Sequence, residues 1–206
     1  MGIYAKHVLP HLLNLAMKNP DTARLRSEWI PKARGDVLEI GIGSGLNLPF
    51  YTGDVQRVYG VDPSPQLQKM ARKTAASLPL EVEFLLQPAE HRLPLAPESI
   101  DTVVFTWTLC SIPDTETALR EISRVLKRDG RVIFLEHGRA PDVTVVRWQD
   151  RLTPMWKRVA GGCHLNRKID ALLENGGFAI AELTRGYLPG PRPMTYTYQG
   201  VASRAG

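Results

Sequence analysis

The sequence predicts an α/β fold: a single doubly wound domain with a mostly parallel, seven-stranded sheet and helices on both faces. Two observations lead to this prediction. Short apolar, β-branched runs alternate along the chain with segments of helical periodicity, which is typical of βαβ units. The 206 residues also have an ordinary globular composition, with 43% hydrophobic and 23% charged residues. We therefore expect residues 1–206 to form one domain, without repeats or linkers.

Seven segments are predicted as strands, and helical segments lie between them. The five parallel strands are expected at 36–40, 57–61, 81–86, 100–106 and 131–136. Helices are expected at 63–78 and 114–130, where Gly130 is predicted to end the second helix. The tail predicts a helix at 167–178 and strands at 179–184 and 194–202. Crossovers of this kind place helices on both faces of a parallel sheet.

Two further segments are predicted to cover a binding site. Residues 1–33 are expected to form N-terminal helices, and residues 138–164 an insertion that resembles a lid. Pro10, Asn14 and Lys18 interrupt the N-terminal apolar stretch, so neither a signal peptide nor a stable membrane insertion is expected. The sequence leaves the oligomeric state open.

Charge and cysteine content exclude several classes of function. The net charge of +5 is spread along the chain without a run of five basic residues, so no nucleic-acid partner is expected. The only cysteines, Cys110 and Cys163, make neither a disulfide framework nor a CxxC zinc motif. We therefore expect a cytoplasmic location and no metal.

A glycine-rich turn follows the first predicted strand. Gly41, Gly43 and Gly45 alternate within VLEIGIGSGLN (37–47), and Glu39 precedes them. Glycine permits a tight turn and lets a ligand approach the backbone. The pattern is GxGxG rather than the GxGxxG of dinucleotide sites, and no P-loop Lys-Ser/Thr follows. The carboxylate of Glu39 would repel a diphosphate and favours a ligand with an amine or a positive charge.

A second carboxylate completes this pattern. Asp62 ends the second predicted strand, where a carboxylate accepts hydrogen bonds from both hydroxyls of a ribose. Pro63 and Ser64 begin the next helix beside that contact, and Ala89 and Glu90 lie in a loop that could edge an adenine ring. An adenosine that carries an amino acid and a sulfonium fits this set. The inferred cofactor is S-adenosyl-L-methionine.

These motifs resemble those of a known family. VLEIGIGSG, GVDPSP, PAEHRLPL, SIDTVVFTWTLCSIPD and REISRVLKRDGRVIFLEHG are similar, in this order, to the motifs of Rossmann-like class I S-adenosylmethionine-dependent methyltransferases. The resemblance spans about residues 34–200. Within the class, LCSIPD, LEHGRAPD, RWQDRLTPMWKRVAGGCHLNR and GYLPGPRP look most like the methyltransferase-like thiol S-methyltransferases of the methyltransferase type 11 family. The resemblance implies that the three glycines approach the methionine part of the cofactor, that Asn47 also belongs to the cofactor site, and that Thr106 lies beside the sulfonium.

The same resemblance implies a small-molecule methyl acceptor, with a thiol favoured. The turn after the fourth strand lacks the Asn/Asp-Pro-Pro-aromatic motif of enzymes that methylate base amines. Tyr4, Trp107 and Trp148 are the candidate residues for contact with the acceptor, under the aromatic lid. A lipid or quinone-type acceptor remains an alternative, as does a catalytically silent module that binds the cofactor.

Two histidines are candidates for catalysis. His137 ends the fifth strand and His164 lies in GGCHLNR. A thiol with a pKa of about 8.5 is only partly ionised at neutral pH, so a nearby histidine could raise its thiolate fraction. The neighbouring Glu136 is predicted to orient other groups rather than to bind a metal.

Overall fold

A computed structural model describes residues 4–205, and a seven-stranded mixed sheet runs through their centre. The strands are β1 (Gly35–Ile40), β2 (Val55–Val61), β3 (Glu81–Leu85), β4 (Ile100–Thr106), β5 (Leu126–His137), β6 (Phe178–Tyr187) and β7 (Tyr196–Arg204). Their order in the sheet is β3-β2-β1-β4-β5-β7-β6. The first five strands are parallel, and β7 is antiparallel to both of its neighbours. The predicted fold class is confirmed.

The strand order places a crevice beside β1. The chain adds β2 and β3 on one side of β1 and then crosses to the other side to form β4 and β5. In doubly wound sheets the ligand binds beyond the carboxyl ends of the strands at such a switch point. The strand β1 is fully buried at Val37, Leu38 and Ile40, as expected for a parallel strand that is covered on both faces. Rigid strands therefore carry the loops that form the site.

The described residues contain seven α-helices. They are α1 (Leu9–Met17), α2 (Pro20–Trp29), α3 (Pro65–Ala75), α4 (Thr115–Val125), α5 (Val143–Val159), α6 (Ile169–Asn175) and α7 (Arg192–Thr195). Side-chain caps fix where three of them begin: Asn19, Ser64 and Asp114 accept hydrogen bonds from backbone N–H groups in the first turn of α2, α3 and α4. None of the helices in residues 4–205 is both long and apolar enough to cross a membrane.

The predicted end of α4 is wrong. The helix stops at Val125 rather than at Gly130, because Leu126 adopts an extended conformation and pairs with Ile100 of β4. Leu126 is fully buried in the core, Lys127 is partly buried, Arg128 and Asp129 are exposed, and Gly130 is buried again. Strand pairing and burial have therefore overridden a local pattern that favours helix. Gly130 lies within the assigned limits of β5.

Candidate functional site

A cavity of about 1270 Å³ lies at the carboxyl ends of the strands. The glycine-rich turn after β1 and the loop after β4 form its floor. Residues of α1, including Leu13 and Met17, line it from one side, and Trp156 and Cys163 of the segment 138–164 line it from another. The volume exceeds that of ordinary single-ligand pockets, which are about 300–1,000 Å³. One cavity can thus hold a cofactor and a second small molecule together.

The three glycines of the turn have different tasks. All three have positive φ, at +72° for Gly41, +57° for Gly43 and +79° for Gly45. A side chain at Gly41 would collide with Thr108, and one at Gly45 would meet Leu48 and Ala71. At Gly43 the nearest atom to an added Cβ is the carbonyl oxygen of Gly41, 3.8 Å away. Gly43 alone of the three therefore leaves open space for a ligand against the backbone.

Asp62 joins this turn to the start of α3. Its carboxylate is buried and accepts hydrogen bonds from the N–H of Gly43, at 3.1 Å, and from the N–H of Ser64, at 2.8 Å. Burial raises the pKa of Asp62, while the two backbone donors act in the opposite direction. Each carboxylate oxygen has accepted one bond, so further lone pairs remain for ligand hydroxyls.

A polar network lies behind the glycine turn. Glu39 is buried and accepts hydrogen bonds from Asn47 Nδ2 at 2.9 Å and from the Tyr51 hydroxyl at 2.7 Å. Asn47 Nδ2 also donates to Thr106 Oγ1, and Asn47 Oδ1 accepts from Arg26 Nε. Burial raises the pKa of Glu39 to about 7 and lowers that of Arg26 to about 10. Three predicted residues, Glu39, Asn47 and Thr106, are thus held as one unit.

Arg26 and Tyr51 are site residues that the sequence analysis missed. Arg26 lies on the same face of α2 as the buried residues Thr22, Leu25 and Trp29, which is an unusual place for a charge. That helical spacing was the one available signal. Nothing comparable marks Tyr51, because its partner is distant in the chain.

Trp107 is held in a strained conformation at the end of β4. Its φ is +53°, a region that bulky side chains rarely adopt. Its backbone N–H donates to Leu135 O, and the Arg26 guanidinium lies 4.8 Å from the centre of its ring. Trp107 lines the cavity, where it was predicted to contact the acceptor.

The residues predicted for the site divide into two groups, according to whether they line the cavity. Those that line the cavity are Glu39, Gly41, Gly43, Asn47, Asp62, Pro63, Ser64, Ala89, Glu90, Thr106, Trp107 and His137. Those that the structure places outside its lining are Tyr4, Gly45, Trp148 and His164. Trp148 is 52% exposed on the outer face of α5, and the Tyr4 hydroxyl donates to Val159 O. Trp156, from the same helix as Trp148, takes the inward position.

Glu136 organises the loop after β4. Its side chain is fully buried, and its two oxygens accept hydrogen bonds from the N–H groups of Thr108, Leu109 and Cys110. Burial raises the pKa of Glu136 to about 7, against the lowering effect of these three donors. The expectation that Glu136 orients its neighbours is confirmed.

The loop and the lid bring three reactive side chains together. Cys110, His137 and Cys163 all line the cavity, and their ligand-forming atoms lie within 4.8 Å of one another. Cys163 Sγ is 3.5 Å from His137 Nδ1. The neighbouring thiol of Cys163 raises the pKa of Cys110, which burial raises further, and the thiol of Cys110 lowers the pKa of Cys163. We call these three residues the Cys–His–Cys cluster.

His164 and Arg167 support this cluster from outside the cavity. The backbone N–H of His164 donates to Cys110 O at 2.9 Å, and its ring Nδ1 lies 3.1 Å from the same oxygen. Arg167 donates to the carbonyl oxygens of Leu109 and Ile112. The two residues therefore attach the end of the lid to the loop that carries Cys110.

Solved structures share this fold over nearly the whole chain. The YcgJ protein of Bacillus subtilis aligns with a TM-score of 0.64 at 21% identity and covers 94% of this chain and 95% of its own. An S-adenosylmethionine-dependent methyltransferase from Aquifex aeolicus aligns with a TM-score of 0.64 at 18% identity, over 95% of this chain and 98% of its own. At these identities the likeness establishes the fold.

The sequence comparisons define the class. Residues 38–134 match the family described as a methyltransferase domain. Together with the sheet order, the open glycine turn and Asp62, this match shows that the chain carries a methyltransferase domain of the S-adenosylmethionine-dependent class. S-adenosyl-L-methionine is the cofactor of that class.

Comparison with individual proteins shows which methyltransferases the chain resembles. The chain is 37% identical to thiol S-methyltransferase TMT1B of Rattus norvegicus over 150 residues, which cover 71% of this chain and 61% of the relative. It is 36% identical to human thiol S-methyltransferase TMT1A, over 74% of this chain and 64% of the relative. A phosphatidylethanolamine N-methyltransferase of Cereibacter sphaeroides is 34% identical over 58% of this chain and 60% of its own. The chain therefore matches about three-fifths of each relative's length.

Cofactor affinity is expected to depend on the ionisation of Glu39. The Tyr51 hydroxyl bond opposes the burial that raises the pKa of Glu39 to about 7, so Tyr51→Phe should raise this pKa further. A carboxylate attracts the cofactor's ammonium group and a neutral carboxyl group does not. We expect the affinity for the cofactor to increase as the pH rises through about 7. The pH at the midpoint of this increase should be higher in Tyr51→Phe than in the wild-type protein.

Isothermal titration between about pH 6 and 9 measures this shift. Tyr59→Phe is the matched control, because the Tyr59 hydroxyl accepts from Arg57 on β2, away from the cavity. Equal midpoints in the three proteins would remove Glu39 from the cofactor site.

Proposed function

We propose that the protein transfers a methyl group from S-adenosylmethionine to a small thiol. One observation carries this proposal: a single cavity joins the cofactor residues Gly43 and Asp62 to the Cys–His–Cys cluster. The similarity to two thiol S-methyltransferases supports the same acceptor. Because the chain matches only part of their length, both the activity and the acceptor are proposals for this protein.

The cofactor end fits S-adenosylmethionine in three respects. Gly43 leaves room for close approach to the backbone, Asp62 presents a buried carboxylate suited to ribose hydroxyls, and Glu39 presents a second one suited to an ammonium group. Ala89 and Glu90 are proposed to edge the adenine, and Thr106 to lie near the sulfonium. When bound, the cofactor supplies an electrophilic methyl group. The protein's task is to align an acceptor with it and to exclude water.

The acceptor end favours an apolar small molecule that has lost a proton. Leu13, Met17 and Trp156 provide apolar surface from α1 and α5, which cover the cavity and limit the access of water. We propose that the acceptor sulfur lies beside the cluster, since of the two predicted histidines His137 lines the cavity and His164 does not. We therefore retain His137, and not His164, as the histidine that favours the thiolate form of the acceptor. His164 is assigned to holding the lid turn.

Transfer of a labelled methyl group to a panel of acceptors tests this function. Alkyl thiols, hydrogen sulfide, phenols, quinols and phosphatidylethanolamine vesicles would each be incubated with the protein and the labelled cofactor. We expect thioether products from the thiols, and none from Asp62→Ala at the same cofactor concentration, since we expect that variant to bind the cofactor poorly. If a lipid or quinone is labelled and no labelled thioether forms, the acceptor is the lipid or quinone and not a thiol. No transfer to any acceptor would favour a silent module.

A further inference from the structure

The Cys–His–Cys cluster is assembled from three separate parts of the chain. Cys110 lies in the loop after β4, His137 ends β5, and Cys163 lies in the glycine-containing turn after α5. The absence of a CxxC motif led the sequence analysis to predict no metal. Ligands that come from distant segments leave no such local spacing, so this prediction did not test a site of this kind.

The donor set suits a soft divalent cation. Thiolate sulfur and imidazole nitrogen are the ligands that Zn²⁺ prefers, and catalytic zinc sites use three protein ligands and leave one position open. With Zn–S near 2.3 Å and Zn–N near 2.0–2.1 Å, tetrahedral geometry places sulfur and nitrogen about 3.6 Å apart. The separation of Cys163 Sγ and His137 Nδ1 is 3.5 Å. Cys110 lies within the 4.8 Å limit of both other ligands, so only a small adjustment is needed.

The imidazole of His137 has unused bonding capacity. Its Nε2 is buried without a hydrogen-bond partner among residues 4–205, and its Nδ1 meets only the thiol of Cys163, a weak partner. Buried polar atoms without partners are rare, and they commonly mark the place of a water or an ion. The side chain is 6% exposed and lines the cavity. A coordination bond from Nδ1 would replace its weak contact with Cys163 by a strong one, and the ring proton would then lie on Nε2, where a cavity water is the expected partner.

The surroundings hold the ligands in place. Glu136 fixes the backbone of Cys110, and His164 ties the lid turn that carries Cys163 to the carbonyl oxygen of the same residue. Arg167 donates to Leu109 O and Ile112 O and adds a positive charge beside the thiols. Outer partners of this kind orient the ligands of metal sites.

We propose that Cys110, His137 and Cys163 bind Zn²⁺, with the fourth coordination position facing the cavity. Binding releases one proton from each cysteine thiol, so that two thiolates balance the charge of the cation. The water in the fourth position is the ligand that an incoming molecule displaces.

The effect of this cation on the methyl acceptor is an inference that rests on the proposed function. An acceptor thiol enters the fourth position as the water leaves, its S–H bond breaks, its sulfur binds the cation and its proton passes to solvent. In methyl transfer this sulfur forms the new S–CH₃ bond, while the electron pair of the broken C–S bond stays on the cofactor's sulfur. The thioether product is neutral at sulfur, binds the cation weakly and gives way to water. His137 then serves as a ligand, and the cation stabilises the thiolate.

Titration of the reduced, metal-free protein, without a polyhistidine tag, tests the site apart from activity. Co²⁺ reports on the geometry, and Zn²⁺ affinity is measured in competition with a chromophoric chelator. We expect one equivalent of Co²⁺ per chain, with the absorption of tetrahedral coordination and a thiolate-to-cobalt charge-transfer band. Cys163→Ser and Cys110→Ser should each weaken this band. His137→Ala should weaken Zn²⁺ binding by more than about 100-fold, beyond the loss typical of an outer partner.

His91→Ala is the matched control, because this histidine is exposed, lies outside the cavity lining and makes no contact with the cluster. It should keep the stoichiometry and the charge-transfer band. Calorimetric titration with S-adenosylhomocysteine shows which variants retain the fold. If the wild-type protein binds no stoichiometric Co²⁺ or Zn²⁺, or if the folded cysteine variants bind as tightly as wild type, the proposed metal site is overturned.

Activity separates this inference from the proposed function. Thiol methylation by protein that remains metal-free would leave the proposed function standing and overturn the role of the cation. Stoichiometric Zn²⁺ in a protein that methylates only lipids would support the site and overturn the thiol acceptor. Loss of thiol methylation on metal removal, with recovery on addition of one equivalent of Zn²⁺, would support both.

Discussion

Gly43→Val is expected to abolish measurable binding of S-adenosylmethionine while the protein stays folded. A Cβ added at Gly43 has the carbonyl oxygen of Gly41 as its nearest neighbour, 3.8 Å away, so a side chain there would occupy the open space where we propose that the cofactor approaches the backbone. The positive φ of +57° adds a strain of about 1–2 kcal/mol. Isothermal titration measures the affinity, and thermal unfolding measures the stability.

Gly177→Val separates strain from blocked space. Gly177 has a φ of +83°, nothing within 4 Å of an added Cβ, and a position outside the cavity lining. The Gly177→Val protein should lose about as much stability as Gly43→Val and keep the wild-type affinity for the cofactor. Retained affinity in folded Gly43→Val would show that the ligand does not approach the turn there.

Asp62→Ala is expected to weaken cofactor binding by about 2–4 kcal/mol, since two ligand hydroxyls would lose a buried, charged partner. The same carboxylate accepts from Gly43 and Ser64, so part of the effect could come from the turn itself. A cofactor analogue with a 2′-deoxyribose separates the two causes. It should bind the wild-type protein less tightly than the ribose form and bind Asp62→Ala about equally well.

This double comparison isolates the direct contact. The loss of affinity on removal of the 2′-hydroxyl is measured in the wild-type protein and in Asp62→Ala. The difference between these two losses is the coupling energy between Asp62 and the hydroxyl. If the deoxy analogue loses the same affinity in both proteins, Asp62 does not bind the ribose and serves only to hold the turn. Ser64→Ala is a useful companion, because it removes the cap of α3 and leaves the carboxylate in place.

The cofactor end was largely predictable because its residues are close in sequence to strand ends. Gly43 follows β1, Asp62 follows β2 and Thr106 ends β4, and parallel strands bring such ends to one edge of a sheet. The structure places all of them on the cavity lining. Arg26 escaped prediction, because α2 has to fold back across the sheet before Arg26 reaches Asn47.

The acceptor end was predicted less well, because helix rotation and loop closure decide it. Trp148 and Trp156 lie two turns apart on α5, yet only Trp156 lines the cavity. His137 and His164 were equivalent as sequence signals, but one lines the cavity and the other binds the carbonyl oxygen of Cys110. Such distinctions depend on contacts between residues that are far apart in the chain.

The sequence by itself determined the doubly wound sheet, the glycine turn and the carboxylate at the end of β2, since hydrophobic periodicity and backbone freedom are properties of short segments. Only the tertiary structure decided where α4 ends, which side chains surround Glu39, and that Cys110, His137 and Cys163 meet. The physical reason is that pairing between strands and packing of the lid act between distant segments. They can override local propensity, and they alone bring separated donors within bonding distance.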